Sequence, residues 1–351
     1  MLDFDIPEYS SWELIKNCNL PVVIYGMGYG ADLVIDELNR LNIEILGVTA
    51  SDDFVRGQVF RGYTVKRLSE FTGEFIIAVA FGTCIPDVMA HIINLSKKYK
   101  LLVPVVPVYG KEIFNREFIE KNAEQINTAY HLFSNKSKEI YANIIRFIFS
   151  GDLKFLISAT TDKEEIFNDF LKLTDTETYL DLGAYRGDTA QEFLNYTDNK
   201  YCKIIAAEPD LKNSKKMAEK LSHLENFTII NKAISNKSGV INFSSSAGRN
   251  SSVNANGKET ECTCVDDICK NIPITYLKAD IEGEEINMLY GAEKTIKRFK
   301  PKLNIALYHR SSDIFEIPIL VNKLNPDYKL EIRHHPYIPY WDTNLYAKNE
   351  T

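Results

Sequence analysis

Tyr179-Leu-Asp181-Leu-Gly183-Ala184-Tyr185-Arg-Gly187-Asp188-Thr189 is the stretch on which the reading of this chain turns. An apolar run ends in an acid, turns through two glycines and enters a helix at Asp188 or Thr189, both good helix starters. The glycines let the backbone approach a ligand closely. The spacing is not G-x-G-x-x-G, so the crowded glycines that seat a pyrophosphate on a helix N-terminus are missing. An acid at the strand end beside such a loop suits a zwitterionic amino-acid moiety. Its carboxylate can meet loop N–H groups and its ammonium can meet Asp181.

Moving outward, the next apolar run, Lys203-Ile-Ile-Ala-Ala207, ends in Glu208-Pro209-Asp210. An acid at the second strand tip of such a unit accepts from both hydroxyls of a ribose, and a free ribose means adenosine without a 2′-phosphate. Phe227-Thr-Ile-Ile leads into Asn231-Lys-Ala233, where a polar residue and small backbone can flank an adenine ring. Ile274–Ala279 closes in Asp280, with Glu282 on the loop that enters the following helix. Leu303-Asn-Ile-Ala-Leu-Tyr then runs into His309. Adjacent parallel strands lie about 4.8 Å apart, so Asp280 and His309 are expected to face one crevice. A carboxylate and an imidazole there can remove a hydroxyl proton, with His309 as base and Asp280 or Glu282 orienting it. The same groups can instead hold a divalent metal, and the sequence does not separate the two; no metal ligand is assigned. Lys278 precedes Asp280 by two positions and shares its face. Glu284 and Glu285 read as first-turn acids that favour the helix dipole.

The wider chain reads as α/β. A first array runs through Pro21–Tyr25, Ile43–Val48, Phe75–Ala80 and Leu101–Val106, with helical patterns between. Strands alternating with helices mean a parallel sheet with right-handed crossovers. From Lys111 to about Thr174 the pattern is helical and amphipathic, through Ile140, Ile144, Ile145 and Ile148. The second array ends with two strands, around Tyr328–Arg333 and Asn344–Ala347, without an intervening helix, which predicts an antiparallel pair. The expectation is two Rossmann-like parallel-sheet domains, residues 1–110 and 176–351, joined by a helical connector over 111–175. The second has the ground plan of a class I methyltransferase with its terminal hairpin.

Composition agrees. The chain has 351 residues, 45% apolar and 25% charged, with a net charge of −7. That charge argues against a nucleic-acid partner, whose affinity comes from clustered Lys and Arg. Apolar runs fall far short of the roughly 20 residues that span a bilayer, and the acidic amino end lacks a signal-peptide pattern. A cytoplasmic protein is expected. Cys18, Cys84 and Cys202 read as small core residues. Cys262, Cys264 and Cys269 cluster without zinc-site spacing and read as strand and helix positions.

The combination D-L-G-A-Y-R-G-D-T, A-E-P-D, N-K-A-I-S, V-D-D-I at Val265–Ile268, L-K-A-D-I-E-G-E-E and A-L-Y-H resembles the FkbM-type family of S-adenosylmethionine-dependent methyltransferases. The resemblance covers Thr178 to the carboxyl end. It implies O-methylation of a hydroxyl on a saccharide, glycan or related metabolite, with S-adenosylmethionine as cofactor. It carries Asp181, Gly183, Ala184, Tyr185, Gly187 and Thr189 over as the methionine-end loop, and Glu208 with Pro209 as the ribose tip. Asn231 and Ala233 become the adenine flank, and Lys278, Asp280, Glu282 and His309 the active-site cluster. It also brings His334 or His335 to the acceptor pocket. Ala279 departs from the family, which often has a larger aliphatic there.

Gly26-Met-Gly28-Tyr-Gly30 looks like a dinucleotide loop but lacks the final spacing. With the later I-I-A-V-A-F-G, the first array resembles the small Rossmann-like domain ahead of some sugar O-acyltransferases. It is read as a docking and dimerisation unit, which leaves room for a homodimer through the N-terminal or helical region. Two alternatives stand: a nucleotide-sugar- or NAD-dependent enzyme run by the first array, and a noncatalytic binding protein with a retained cofactor pocket.

Overall fold

The computed structural model describes residues 1–107, 109–110, 112–245, 251–253 and 258–350. Val108, two residues past the run Leu101–Val106, and Lys111, the expected first residue of the connector, lie outside the described residues. The chain divides into two units. The first comprises Met1–Tyr130, Asn135–Thr161 and His334–Asp342; the second comprises His131–Ser134, Asp162–Arg333 and Thr343–Thr351. Most of the amphipathic helical stretch therefore clusters with the first unit, and the chain leaves the second unit at His334 to re-enter it at Thr343.

In the first unit, β1 (Val22–Tyr25), β2 (Ile45–Thr49), β3 (Val59–Phe60), β4 (Tyr63–Lys66), β5 (Ile76–Val79) and β6 (Lys100–Leu102) form a sheet in the order β3-β4-β2-β1-β5-β6. All pairs are parallel except β3 with β4. β1 and β5 are buried along their whole length, as expected for parallel strands covered on both faces. Val34, Ile35 and Leu38 of the helix Tyr29–Arg40 pack on Val22, Ile24, Val48 and Ile76. The glycine loop after β1 has a packing reason: a Cβ on Gly30 would lie 2.7 Å from the carbonyl oxygen of Ala80. The β3–β4 pair extends the sheet beyond the four strands read from the sequence.

The second unit adds β7 (Thr178–Leu182), β8 (Lys203–Ala207), β9 (Phe227–Ile230), β10 (Ala233–Ile234), β11 (Gly239–Ser245), β12 (Ser251–Val253), β13 (Lys258–Thr263), β14 (Tyr276–Ala279), β15 (Lys302–Ala306), β16 (Tyr328–His334) and β17 (Thr343–Asn349). Its main sheet has the order β16-β17-β15-β14-β7-β8-β9. The five strands from β9 to β15 are parallel neighbours, and β17 runs antiparallel to β15. That is the arrangement of a class I methyltransferase sheet, with β7 at the point where strand order reverses. A smaller sheet, β10-β13-β11-β12, lies outside that plan. Tyr179 of β7 stacks on Tyr276 of β14 at 4.8 Å and on Phe193 at 4.5 Å, fixing the base of the central strands.

Cys262 lies in β13, Cys264 precedes the short helix Val265–Ile268, and Cys269 follows it; all three are buried. Cys18 is half-buried and packs against the core of the first unit, whereas Cys84 and Cys202 are exposed, so their apolar neighbours in sequence do not place these two in the core. Among the described residues, no helix is long and apolar enough to cross a membrane.

Candidate active site

The parallel register brings the functional tips to one edge of the main sheet. Leu182 pairs with Ala207, Ala207 with Ile230, and Ala279 with both Leu182 and Ile305. Asp181, Glu208, Asn231, Asp280 and His309 thus follow or close neighbouring strands at that edge. The loop after β7 is held tightly: the amides of Gly183 and Ala184 both donate to the carbonyl of Ala207, at 3.0 and 3.1 Å. Gly183 is left-handed, with φ +77°, and a Cβ there would sit 1.9 Å from the carbonyl oxygen of Asp280. Only glycine lets β7 and β14 turn out of the sheet this close together.

Asp181 is wholly buried. Its Oδ2 accepts from Thr189 Oγ1 at 2.5 Å, and Oδ1 has no hydrogen-bond partner. Lys278, opposite Asp181 in register, reaches to 3.8 Å from Asp181 Oδ1 and 3.7 Å from Asp280 Oδ2. Burial raises the Asp181 pKa against the opposing pull of Lys278 and Thr189. Lys278 therefore pairs with acids in the crevice; of the two roles the sequence left open, snorkelling is not the one it adopts.

Glu208 is buried and ties two loops together. Its Oε2 accepts from the amide of Tyr185 and its Oε1 from the amide of Asp210, each at 2.9 Å. Burial pushes its pKa up to about 7, opposed by these two amides. Gly187, with φ +80°, ends the loop and opens the helix Asp188–Tyr196; a Cβ there would meet Leu221 at 2.6 Å. Pro209 follows Glu208, half-buried, and Asp210 caps the helix Leu211–Lys220 by accepting from Lys212 and Asn213. Asn231 stands at the tip of β9 and is tied to the neighbouring turn. Its Nδ2 donates to Glu208 O at 2.8 Å, Pro209 O at 3.2 Å and Ser214 Oγ at 3.0 Å, so it braces the Glu208 turn. Ala233 is buried in β10 and pairs with Cys262.

His309 is the centre of the second cluster. Its Nδ1 lies 3.0 Å from Glu285 Oε1, and its Nε2 lies 3.4 Å from both Asp280 Oδ1 and Glu282 Oε2. Tyr308 donates its hydroxyl to Asp280 Oδ1 at 2.8 Å. Burial alone would lower the His309 pKa, but Glu285, Glu282 and Asp280 together raise it to about 10. The three carboxylates thus favour the protonated ring.

Glu285 opens the helix Glu285–Tyr290, as its reading as a first-turn acid expects, and does more than that. It is fully buried, and its two oxygens accept from the amides of Ile281 (2.8 Å) and Gly283 (3.1 Å). It therefore organises the D-I-E-G loop and the imidazole together. The same loop puts Glu282 in the left-handed region, with φ +59°. Glu284 is buried as well and accepts from Asn287 at 2.8 Å. Asp313, missed by the sequence reading, is buried beside this cluster; it accepts from the amide of Arg310 at 2.8 Å, and burial followed by Glu285 pushes its pKa up to about 8.

The strand order of the second unit is that of a class I methyltransferase fold. Residues 181–337 match the family model described as the methyltransferase FkbM domain. Among solved structures, the chain is similar to methyltransferase FkbM from Methylobacillus flagellatus KT, at 20% identity and a TM-score of 0.73, covering 98% of this chain and 94% of that one. An rRNA methylase from Streptococcus thermophilus overlaps 54% of this chain and 98% of its own, at 15% identity and a TM-score of 0.37. Fibrillarin from Aeropyrum pernix overlaps 50% of this chain and 68% of its own, at 12% identity and a TM-score of 0.33. These two partial overlaps carry no inference for this chain. No curated protein matches the sequence.

Proposed function

We propose that the protein transfers the methyl group of S-adenosylmethionine to a hydroxyl of a saccharide, glycan or related metabolite. The observation that carries this reading is the pair of buried carboxylates at adjoining strand tips, Asp181 with an unfilled oxygen and Glu208 held by two loop amides. Asp181 Oδ1 has room in its hydrogen-bonding for the donor's ammonium. Each Glu208 oxygen accepts one backbone N–H and retains a lone pair for a ribose hydroxyl. The FkbM domain match over 181–337 supports the same chemistry.

The donor's sulfonium supplies an electrophilic methyl carbon. The chain's own contribution is to hold the acceptor oxygen in line with it and to exclude water. With His309 protonated, the hydroxyl proton moves toward Asp280 and Glu282, and the imidazolium steadies their charge. Lys278 links Asp181 to Asp280 and so positions the donor end against the acceptor end. The first unit is read as a docking or dimerisation module. Calorimetry of the full chain with S-adenosylmethionine, S-adenosylhomocysteine, NAD and nucleotide sugars tests the reading. Binding of the first two is expected; NAD or nucleotide-sugar binding alone would replace the reading with one run by the first unit.

A further inference from the structure

We propose that Asp280 Oδ1, Glu282 Oε2 and His309 Nε2 form a divalent-cation site at the edge of the candidate active centre. As a mechanistic role this rests on the methyl-transfer reading above; as a binding site it does not.

The argument begins with Glu285. Its two oxygens are committed to the amides of Ile281 and Gly283, and Oε1 also lies 3.0 Å from His309 Nδ1. At this ion-pair distance Nδ1 is turned to the buried carboxylate, which leaves Nε2 turned to the loop carboxylates. Metal-bound histidines are typically held this way, with the second ring nitrogen on a carboxylate that orients it. Nε2 then faces two further carboxylate oxygens, each 3.4 Å away. Cis ligands of an octahedral ion with arms of about 2.1–2.4 Å lie about 3.0–3.4 Å apart, which the two separations from Nε2 match. One ligand atom each from Asp280, Glu285 and His309 lies within 4.8 Å of the others, which is also a metal-sized grouping. Glu285 is the weaker candidate for direct ligation because its oxygens already accept backbone N–H groups. Glu282 takes its place.

Burial separates this arrangement from a solvated acidic patch. Glu285 and His309 are buried, whereas the Asp280 and Glu282 side chains are 36% and 28% exposed. The back of the site is thus rigid and its front is open to an incoming hydroxyl. Two carboxylates and one imidazole suit manganese, iron or zinc better than calcium. An ion here takes the place of the Nε2 proton and binds the acceptor oxygen. The O–H proton then leaves to water instead of to a carboxylate. The freed electron pair forms the bond to the methyl carbon as the carbon–sulfur pair withdraws onto sulfur.

The test is titration of Mn²⁺ into the full chain, followed by electron paramagnetic resonance and calorimetry, with and without S-adenosylhomocysteine. One saturable site per chain is expected. Glu282→Gln, on a half-exposed loop position, should weaken it at least tenfold, and Glu285→Gln should weaken it by about 10–100-fold through the lost orientation of the ring. Melting curves of the metal-free variants check that the fold survives. Absence of saturable Mn²⁺ binding, or binding indifferent to Glu282→Gln in a folded variant, overturns the proposal. Donor calorimetry in chelator keeps the two readings apart: donor binding without a Mn²⁺ site defeats the cation alone, and a Mn²⁺ site without donor binding defeats the methyl-transfer reading alone.

Discussion

Replacing Glu208 by glutamine removes the carboxylate charge while nearly preserving shape. In the structure that carboxylate accepts from Tyr185 and Asp210, and in the proposed complex it also accepts from two ribose hydroxyls. Hydrogen bonds to a charged group contribute about 1.5–3 kcal/mol each. Glutamine retains one carbonyl oxygen but presents an N–H₂ where the second acceptor stood. The loss of one such bond corresponds to a dissociation constant raised about 10–150-fold. The wild type carries a second signature. With a Glu208 pKa of about 7 in the free protein, a donor that needs the ionised form meets about one-tenth of the sites ready at pH 6 and about nine-tenths at pH 8. Affinity should therefore tighten about tenfold as pH rises across that interval, and weaken as it falls. The variant has no such group and its affinity should be flat. Calorimetry with S-adenosylhomocysteine at pH 6, 7 and 8, on both proteins, reads both effects. Equal constants for wild type and variant, with no pH dependence in either, would refute the role of Glu208.

Other expectations are similarly direct. Nitrogen-detected NMR of metal-free protein at pH 7.5 should show both His309 ring nitrogens protonated, as a pKa of about 10 requires; a neutral ring would restore it as a base. Thr189→Val removes the hydroxyl that donates to Asp181 Oδ2 and should weaken donor binding several-fold, since one charge-assisted hydrogen bond is lost; an unchanged constant would mean Asp181 does not meet the donor. Gly183→Ala must relieve a 1.9 Å approach to the Asp280 carbonyl at a left-handed φ, so it should lower stability by about 2–3 kcal/mol or more in urea unfolding; a wild-type midpoint would show that the loop relaxes freely.

Much of the second unit was legible because parallel strands buried on both faces write themselves as short apolar runs, each ending where chemistry begins. Asp181, Glu208, Asp280 and His309 could be placed at strand tips on that basis alone. What the sequence did not reveal depends on packing between residues that local pattern does not connect. Glu285 reads as a helix-start acid by position, yet the turn of the preceding loop buries it against His309. Asn231 sits at a strand tip as expected, and its Nδ2 also braces the Glu208 turn. The raised pKa of His309 follows from three carboxylates converging from the loop after β14 and the helix it enters, which neither spacing nor residue type predicts. The small sheet of β10–β13 and the edge pair β3–β4 have strands too short or too polar to announce themselves. Cys84 and Cys202 show the converse, that apolar neighbours in sequence do not guarantee burial.

A crystal structure with S-adenosylhomocysteine bound is the most direct trial of the methyl-donor assignment. The account predicts the ribose hydroxyls on Glu208, the amino group on Asp181 and the sulfur turned toward Asp280 and His309. A nucleoside seated at the glycine loop of the first unit, with the Asp181–Glu208 edge filled by protein side chains, would contradict it.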